Sequence, residues 1–214
     1  MIAKNFYISD LNLKYLVGIN QIRIFDITLD FILNLTEKIQ NNHKNSMLQF
    51  FSDKYILNQD HIFTACYYTQ KAFRNKTNIS KRKNIELLLY LATKRQIKNA
   101  LEAFGINIKS GNIISFAIIS SENNLNKINE EILQSLGANE IELTLNDQSV
   151  KKFNQIKSYF EISDNQINSV LNSYGVKEFN NDLTANNLNN LFLAVYDLIC
   201  EKMAFLSLER IKAE

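Results

Sequence analysis

Residues 84–105 have the sequence NIELLLYLATKRQIKNALEAFG, in which two apolar segments meet at a pair of cations. The first segment, 85–92, is almost wholly apolar, which is typical of a buried helix. The second segment has apolar residues at the helical spacing i, i+3, i+4, i+7, and these predict a stripe that faces the core: Ile97, Ala100, Leu101 and Phe104. Gly105 follows as the expected end of that helix.

Residues 93–96 form the junction between the two predicted helices. Thr93 and Gln96 have the T-x-x-Q spacing of a capping box, in which both side chains satisfy free backbone amides. We therefore expect the second helix to begin here, with Lys94 and Arg95 exposed in its first turn. Cations at a helix N-terminus are slightly unfavourable. We therefore expect the two cations to bind a phosphate at this helix start. The alternative is that Arg95 pairs with an acid elsewhere in the fold.

The charge of the chain is concentrated around this junction. Nine basic residues and one acid, Glu86, lie between Lys71 and Lys98, so this span carries a net charge of +8 in a chain whose total is +2. Such a concentration is expected of a protein that binds a polyanion such as nucleic acid. The alternative is a solvated surface that is merely rich in lysine.

The flanking sequence predicts an α+β fold. Strand formers occupy 6–8, 15–19 and 47–51, the run 112–120 is typical of a central strand, and 141–145 is a candidate edge strand. Helical spacing occurs at 26–41 (capped by Asp26), from 59 onward, at 123–136, and at 150–160, 164–174 and 184–211. We predict a single domain, 1–214. It has a small, mostly antiparallel sheet covered by helices in 1–146, and a helical part, 147–214, packed on it.

Side chains suited to catalysis or metal binding are sparse. His43 and His61 have no cysteine or carboxylate at ligand spacing, and no phosphate-binding glycine loop or nucleophile motif occurs. Glu86 is a lone acid in an apolar segment, where a helix N-terminus stabilises a carboxylate. The sequence therefore predicts a protein that is not an enzyme, has no catalytic residues and holds neither a metal nor a cofactor.

The sequence also indicates a compartment. Cys66 and Cys200 lie far apart among apolar residues, which indicates two packed thiols in a reducing interior. No apolar run approaches the ~18 residues of a transmembrane helix, and residues 1–10 lack the pattern of a secretory signal. We expect a cytoplasmic protein that does not contact a membrane.

The opening stretch resembles the kinase-binding subunit of the KEOPS complex. The pattern is an E-L-L-x-x-L-A helix, then R-Q-I-x-x-A-L, a glycine and a β-strand; the matching residues are 86–92, 95–101, Gly105 and 113–119. Residues 48–57 and 200–211 are similar to a strand-then-helix block and to the C-terminal helix of that family. The family usually has a glycine before the arginine, where this chain has Thr93 and Lys94. The helix near the N-terminus and the connection at 180–187 are longer than is typical.

The resemblance implies a non-catalytic subunit of KEOPS, the complex that makes threonylcarbamoyladenosine in tRNA. Family members bind the N-lobe of the kinase-like ATPase of the complex, and archaeal members recruit tRNA through its single-stranded 3′ CCA end. This chain is thus expected in a hetero-oligomer with the ATPase and tRNA as partners. A stand-alone RNA-binding module and an enzyme with a dispersed site are the alternatives.

Two sets of residues are assigned to these partners. The predicted tRNA contacts are the basic residues of the central span: Lys71, Arg74, Lys81, Arg82, Lys83, Lys94, Arg95 and Lys98. Tyr67, Tyr68 and Tyr90 lie nearby as a stacking face for unpaired bases, with core packing as the alternative. The predicted ATPase contacts form one of two apolar stripes on the last helix: Leu191, Leu198, Phe205 and Leu208. The alternative there is that both stripes are internal.

Overall fold

A computed structural model describes residues 1–108, 113–176 and 185–208, and it shows an open five-stranded antiparallel sheet. The strands are β1 (Ile2–Ile8), β2 (Leu13–Arg23), β3 (Ser46–Phe51), β4 (Ile113–Ser120) and β5 (Asn139–Glu140). Their order is β1-β2-β4-β3, and β5 pairs with the end of β2. The continuous apolar strand β4 lies inside the sheet, as predicted, because both of its faces are covered.

Eight α-helices occur in the described ranges and cover both faces of the sheet. They are α1 (Leu29–Asn42), α2 (Gln59–Asn75), α3 (Lys83–Ala92), α4 (Ile97–Phe104), α5 (Leu125–Leu136), α6 (Val150–Tyr159), α7 (Asp164–Ser173) and α8 (Ala185–Leu208). Phe50 and Phe116 point to the face covered by α1 and α5. Phe51 and Ile119 lie an odd number of residues from these two along the same strands, so their side chains point to the opposite face, which α2 and α3 cover. The α+β class is confirmed.

The last three helices extend the second apolar layer. Phe153 of α6, Ile167 of α7 and Val195 of α8 belong to the same buried cluster as Leu88 of α3. Parts of some predicted elements lie outside the described residues. They are the start (184) and the end (209–211) of the last predicted helix, the start of the central strand at 112, and residues 180–184 of the long connection.

The junction at 93–96 is not the predicted capping box. Thr93 has a φ of 51° and ends α3, with its N–H bonded to the Tyr90 carbonyl at 3.1 Å. The Lys94 N–H bonds to the Leu89 carbonyl at 3.2 Å. These two bonds are those of a Schellman motif, so Thr93 closes the first helix instead of opening the second. Gln96 is the N-cap residue of α4 and makes no side-chain capping bond.

Helix α4 buries only half of its predicted stripe. Ala100 and Phe104 are buried, whereas Ile97 and Leu101 are 43% and 44% exposed. The helix packs mainly against α3, which covers only a narrow face of it. Gly105 has extended backbone (φ −64°) and not the expected left-handed one. A Cβ at Gly105 would lie 2.3 Å from the Leu101 carbonyl oxygen, so close packing requires the glycine.

Two other predicted boundaries were wrong. The cap of α1 is Thr28, whose hydroxyl accepts the Phe31 N–H at 3.2 Å, while Asp26 lies in the preceding turn with a φ of 49°. The edge strand is β5 and not 141–145, because Thr144–Asn146 forms a 3₁₀ turn. The Thr144 N–H in that turn bonds to the Gln21 side chain at 2.8 Å and not to a neighbouring strand.

His61 is buried with both ring nitrogens engaged. The Leu57 N–H donates to Nδ1 at 3.2 Å, so the ring proton lies on Nε2 and is donated to the Leu91 carbonyl at 3.1 Å. Burial lowers the pKa of His61 to about 4. A second proton on the ring would face the Leu57 N–H, so the folded state favours the neutral form.

We expect the free energy of unfolding to fall as the pH is lowered from about 6.5, the ordinary histidine pKa, toward 4. In that window the unfolded chain takes up a proton at His61 and the folded chain does not, which costs about 2 kcal/mol between pH 7 and pH 5. Urea unfolding at the two pH values measures it. His61→Gln keeps a donor and an acceptor but does not titrate, so it should lose this part of the pH dependence. An equal pH dependence of parent and variant would contradict the assignment.

Candidate nucleic-acid and partner-binding surfaces

The structure divides the predicted tRNA contacts into two groups. The α2–α3 basic cluster lies at the end of α2, in the following loop and at the start of α3. It consists of the predicted contacts Lys71, Arg74, Lys81, Arg82 and Lys83, together with Lys76, which was not among them. The α4 basic group, at the other end of α3, consists of Lys94, Arg95 and Lys98. Helix α3 has 10 residues, so about 15 Å of helix separates the groups. The charged span is therefore two surfaces and not one patch.

A buried carboxylate holds the loop between α2 and α3. Glu86 is fully buried and accepts the backbone N–H of Ile79 at 3.0 Å and of Ser80 at 2.6 Å. The Ser80 hydroxyl accepts the Arg82 N–H at 3.2 Å. These bonds fix the backbone that carries Lys81 and Arg82, so Glu86 has a structural role and the cluster is positioned without a ligand.

The two basic groups differ in their partners. In the α4 basic group, Lys94 pairs with Glu161 at 3.0 Å and Lys98 with Glu102 at 3.9 Å. Within the described ranges, no carboxylate pairs with any of the six side chains of the α2–α3 basic cluster. Lys83 packs over the Phe73 ring, and burial lowers its pKa. The α2–α3 basic cluster thus offers the greater unneutralised charge to an external anion.

The three candidate stacking tyrosines are largely occupied by one another. Tyr90 is fully buried and stacks on Tyr68 with ring centroids 5.6 Å apart, and Tyr67 packs edge-on against Tyr68. The Tyr90 hydroxyl lies 2.9 Å from that of Ser207. Tyr90 therefore belongs to the core, and only Tyr67 and Tyr68 reach the surface in part.

The predicted partner-binding stripe of α8 is only half exposed. Leu191 and Leu198 are 1% and 5% exposed, so both are core residues and present no surface to a partner. Phe205 and Leu208 are 55% and 53% exposed. The two leucines are covered because α7, α2 and α6 together pack around more of α8 than one stripe requires.

The solvent-facing side of α8 is a different stripe. We call it the α8 outer face; it consists of Leu193, Asp197, Glu201, Phe205 and Leu208. The spacing of four residues from Leu193 to Phe205 is visible in the sequence, but the two acids between them make the stripe resemble an ordinary polar helix face. Leu193 is 49% exposed and was missed for this reason. The α8 outer face has apolar ends and an acidic middle.

Hydroxyl groups fix the rotation of α8 about its axis. The Tyr196 hydroxyl lies 2.8 Å from that of Thr64 on α2, and Ser207 bonds to Tyr90 on α3. The Tyr174 hydroxyl, just after α7, donates to Asp197. With these contacts on both sides of the helix, the α8 outer face is held toward solvent.

Among residues 1–108, 113–176 and 185–208, no three histidine, cysteine, aspartate or glutamate side chains group as a metal site would require. Within the same ranges, no helix is both long and apolar enough to pass through a lipid bilayer.

Comparison with known proteins identifies the family. The family model described as "Kinase binding protein CGI-121" matches residues 32–205, which include the α2–α3 basic cluster and α8 as far as Phe205. The EKC/KEOPS complex subunit CGI121 of Candida albicans is 29% identical over 108 residues. That alignment covers 48% of this chain and 53% of the yeast protein, so it spans about half of each. The chain belongs to the CGI-121 family of kinase-binding proteins.

Proposed function

We propose that this chain is a non-catalytic subunit of a KEOPS-type complex. In this role it binds the kinase-like ATPase of the complex and recruits tRNA for threonylcarbamoyladenosine formation. Family membership is the observation that carries the proposal, and the α8 outer face and the α2–α3 basic cluster support it by offering one exposed surface for each proposed partner.

The α8 outer face is the proposed docking surface for the ATPase. Phe205 and Leu208 expose more than half of their side chains at the end of a helix that is otherwise well packed. Burial of such an aromatic anchor in an interface typically contributes about 2 kcal/mol or more. Asp197 and Glu201 lie between the apolar ends, so the matching surface of the partner should be apolar with central cations.

The α2–α3 basic cluster is the proposed primary contact for tRNA. Its cations have no carboxylate partners in the described structure, so phosphates can replace bound counterions without breaking ion pairs. The α4 basic group contributes less, because two of its lysines already pair with acids. We further propose that the unpaired 3′ CCA end supplies part of the binding free energy.

A stand-alone RNA-binding module is the second candidate function. It accounts for the basic cluster but leaves the α8 outer face without a partner. Co-purification of this chain with the kinase-like ATPase of the same cell separates the two, since only the first candidate requires a stable complex.

Phe205→Glu should abolish co-purification with the ATPase, because it places a charge in the proposed apolar contact. Removal of the chain from Ser207 onward should have the same effect. For Phe205→Glu, circular dichroism and tRNA affinity should match those of the parent, since the Phe205 side chain is exposed. The truncation also removes the Ser207 hydroxyl that bonds to Tyr90, so the substitution is the sharper of the two tests. Phe25→Glu is the matched control, because Phe25 is 58% exposed and precedes α1, far along the chain from α8. A folded Phe205→Glu protein that still binds the ATPase would place the docking surface elsewhere.

Charge reversal in the α2–α3 basic cluster should weaken tRNA binding. Arg74→Glu with Lys81→Glu should reduce affinity by about tenfold or more and flatten its dependence on salt, because phosphate contacts release counterions. Lys127→Glu with Lys151→Glu changes the net charge equally at exposed sites outside the cluster and is the control. Filter binding of labelled tRNA at several salt concentrations gives both quantities. If the two double variants lose affinity equally, only the total charge matters.

Removal of the 3′ CCA end should lower the affinity of tRNA for this chain. Unpaired bases contribute about 1–3 kcal/mol each when they stack on protein side chains, so the loss should be at least several-fold. Direct competition between trimmed and intact tRNA of the same sequence measures the difference. Equal competition would remove the CCA end from the proposal while leaving the phosphate contacts in place.

A further inference from the structure

The sheet has two edge strands, β1 and β3, and β3 is protected by local hydrogen bonds. The Ser46 N–H bonds to the His43 carbonyl at 2.8 Å, and the Gln49 side-chain amide donates to the Phe50 carbonyl at 2.5 Å. Ser46 and Phe50 lie an even number of residues apart, so both bonded groups face the same, outer side of the strand. An added strand would have to displace these bonds, which makes β3 a poor edge for further pairing.

Strand β1 has no such protection. Its seven residues pair with β2 without a bulge, from Ile2↔Ile19 to Ile8↔Leu13. Within the described ranges, the backbone–backbone hydrogen bonds of β1 all go to β2, and no other element packs extensively against it. Alternate residues of an edge strand turn their N–H and C=O groups outward. Strand β1 therefore presents a continuous row of donors and acceptors to another strand.

The single charged residue of β1 does not guard this edge. Natural edge strands often carry a lysine whose charge keeps a second strand away. The Lys4 ammonium instead lies 3.8 Å from the Asp60 carboxylate, at the start of α2. It also lies 5.6 Å from the centre of the Phe6 ring and 5.3 Å from that of Phe63. The charge of Lys4 is thus compensated within its own chain.

The sequence of β1 is complementary to itself in antiparallel orientation. A two-fold axis at the central residue pairs all seven positions, namely Ile2 with Ile8, Ala3 with Tyr7, Lys4 with Phe6, and Asn5 with itself. Each cross-strand pair is then apolar, cation–aromatic or amide–amide, and such pairs stabilise a sheet. An axis at Lys4 would place two cations opposite each other and leave residues at the end of each strand unpaired. The sequence therefore favours one register, centred on Asn5.

We propose that two copies of this chain pair through β1, antiparallel about a two-fold axis at Asn5, and join their sheets into one. Pairing satisfies the outer backbone groups of both strands and covers Ile2 and Tyr7, which are 37% and 58% exposed. The contact is small beside the interface of a permanent dimer, so half-dissociation is expected at about 10–100 µM chain.

The pairing does not rest on the proposed function and leaves the α2–α3 basic cluster open. Asp60, which contacts Lys4 of β1, is in the first turn of α2, whereas Lys71 and Arg74 are near its other end. At 1.5 Å per residue, roughly 15–20 Å of helix separates them. A dimer would therefore carry two copies of the cluster, each accessible.

Sedimentation velocity of the full chain, at concentrations below and above the expected midpoint, tests the pairing. Asn5→Lys should weaken dimerisation by about fivefold or more, because it places two cations opposite each other at the axis. The fold should persist, since Asn5 is exposed. Asn34→Lys adds the same charge at an exposed site on α1 and should dimerise like the parent. An equal mixture of Asn5→Lys and Asn5→Asp should pair more tightly than either variant alone, because the axis then joins opposite charges.

A cross-link reports the register directly. Residues opposite each other in antiparallel strands have Cα atoms about 4.5–5.5 Å apart, which is within the reach of a disulfide. Asn5→Cys should therefore give a covalent dimer on mild oxidation. Tyr7→Cys lies opposite Ala3 of the second copy and should give no more covalent dimer than the parent, whose Cys66 and Cys200 set the background.

Four results would each overturn the pairing through β1. They are a parent that stays monomeric at the highest concentration, an Asn5→Lys variant that dimerises as well as Asn34→Lys, a mixture of opposite charges that pairs no better than its components, and equal cross-linking of the two cysteine variants. A monomeric chain that binds an extended peptide at β1 would also overturn it, with the peptide as the occupant of the edge. Because these measurements use neither tRNA nor the ATPase, their failure leaves the proposed function standing.

Discussion

The buried carboxylate of Glu86 is the interaction on which the placement of the basic residues depends. It receives two backbone amides from the loop between α2 and α3, and these bonds hold Lys81 and Arg82 beside the end of α2. A buried acid is costly unless its oxygens are hydrogen-bonded, so the loop conformation and the burial of Glu86 stabilise each other. A cationic surface is thus built around one internal carboxyl group, whose hydrogen bonds hold the loop between α2 and α3 in place.

Helix α3, which contains Glu86, lies between the two candidate binding surfaces. Its first turn borders the α2–α3 basic cluster, and its last turn contacts the end of α8 through the Tyr90 and Ser207 hydroxyls. The sequence of α3 is apolar because every residue from Leu87 to Ala92 is buried against neighbouring elements. Helix α3 therefore sets the distance between the α2–α3 basic cluster and the α8 outer face.

Local patterns in the sequence predicted which segments form helices and strands better than they predicted which faces of these segments are covered by neighbouring elements. Period-two and period-3.6 spacing located the strands and long helices. The lone Glu86, which was predicted to have a structural role, accepts two backbone amides of the preceding loop. The spacing of Thr93 and Gln96 fits a capping box, but Thr93 adopts left-handed backbone and closes α3, which depends on the direction taken by α4. Leu191 and Leu198 could not be separated from Leu193 and Phe205 by spacing alone, because the exposure of each depends on α2, α6 and α7 packing around α8.

In the proposed function, one small fold presents two separate surfaces to two partners. Titration of labelled tRNA into this chain, alone and with saturating kinase-like ATPase, tests it most directly, provided that the ATPase alone is shown not to bind the tRNA under the same conditions. Separate surfaces predict a ternary complex and a tRNA affinity that changes by less than about threefold, since coupling free energy between the sites should be small. Displacement of tRNA by the ATPase would contradict the account, because it would mean that both partners use the same surface.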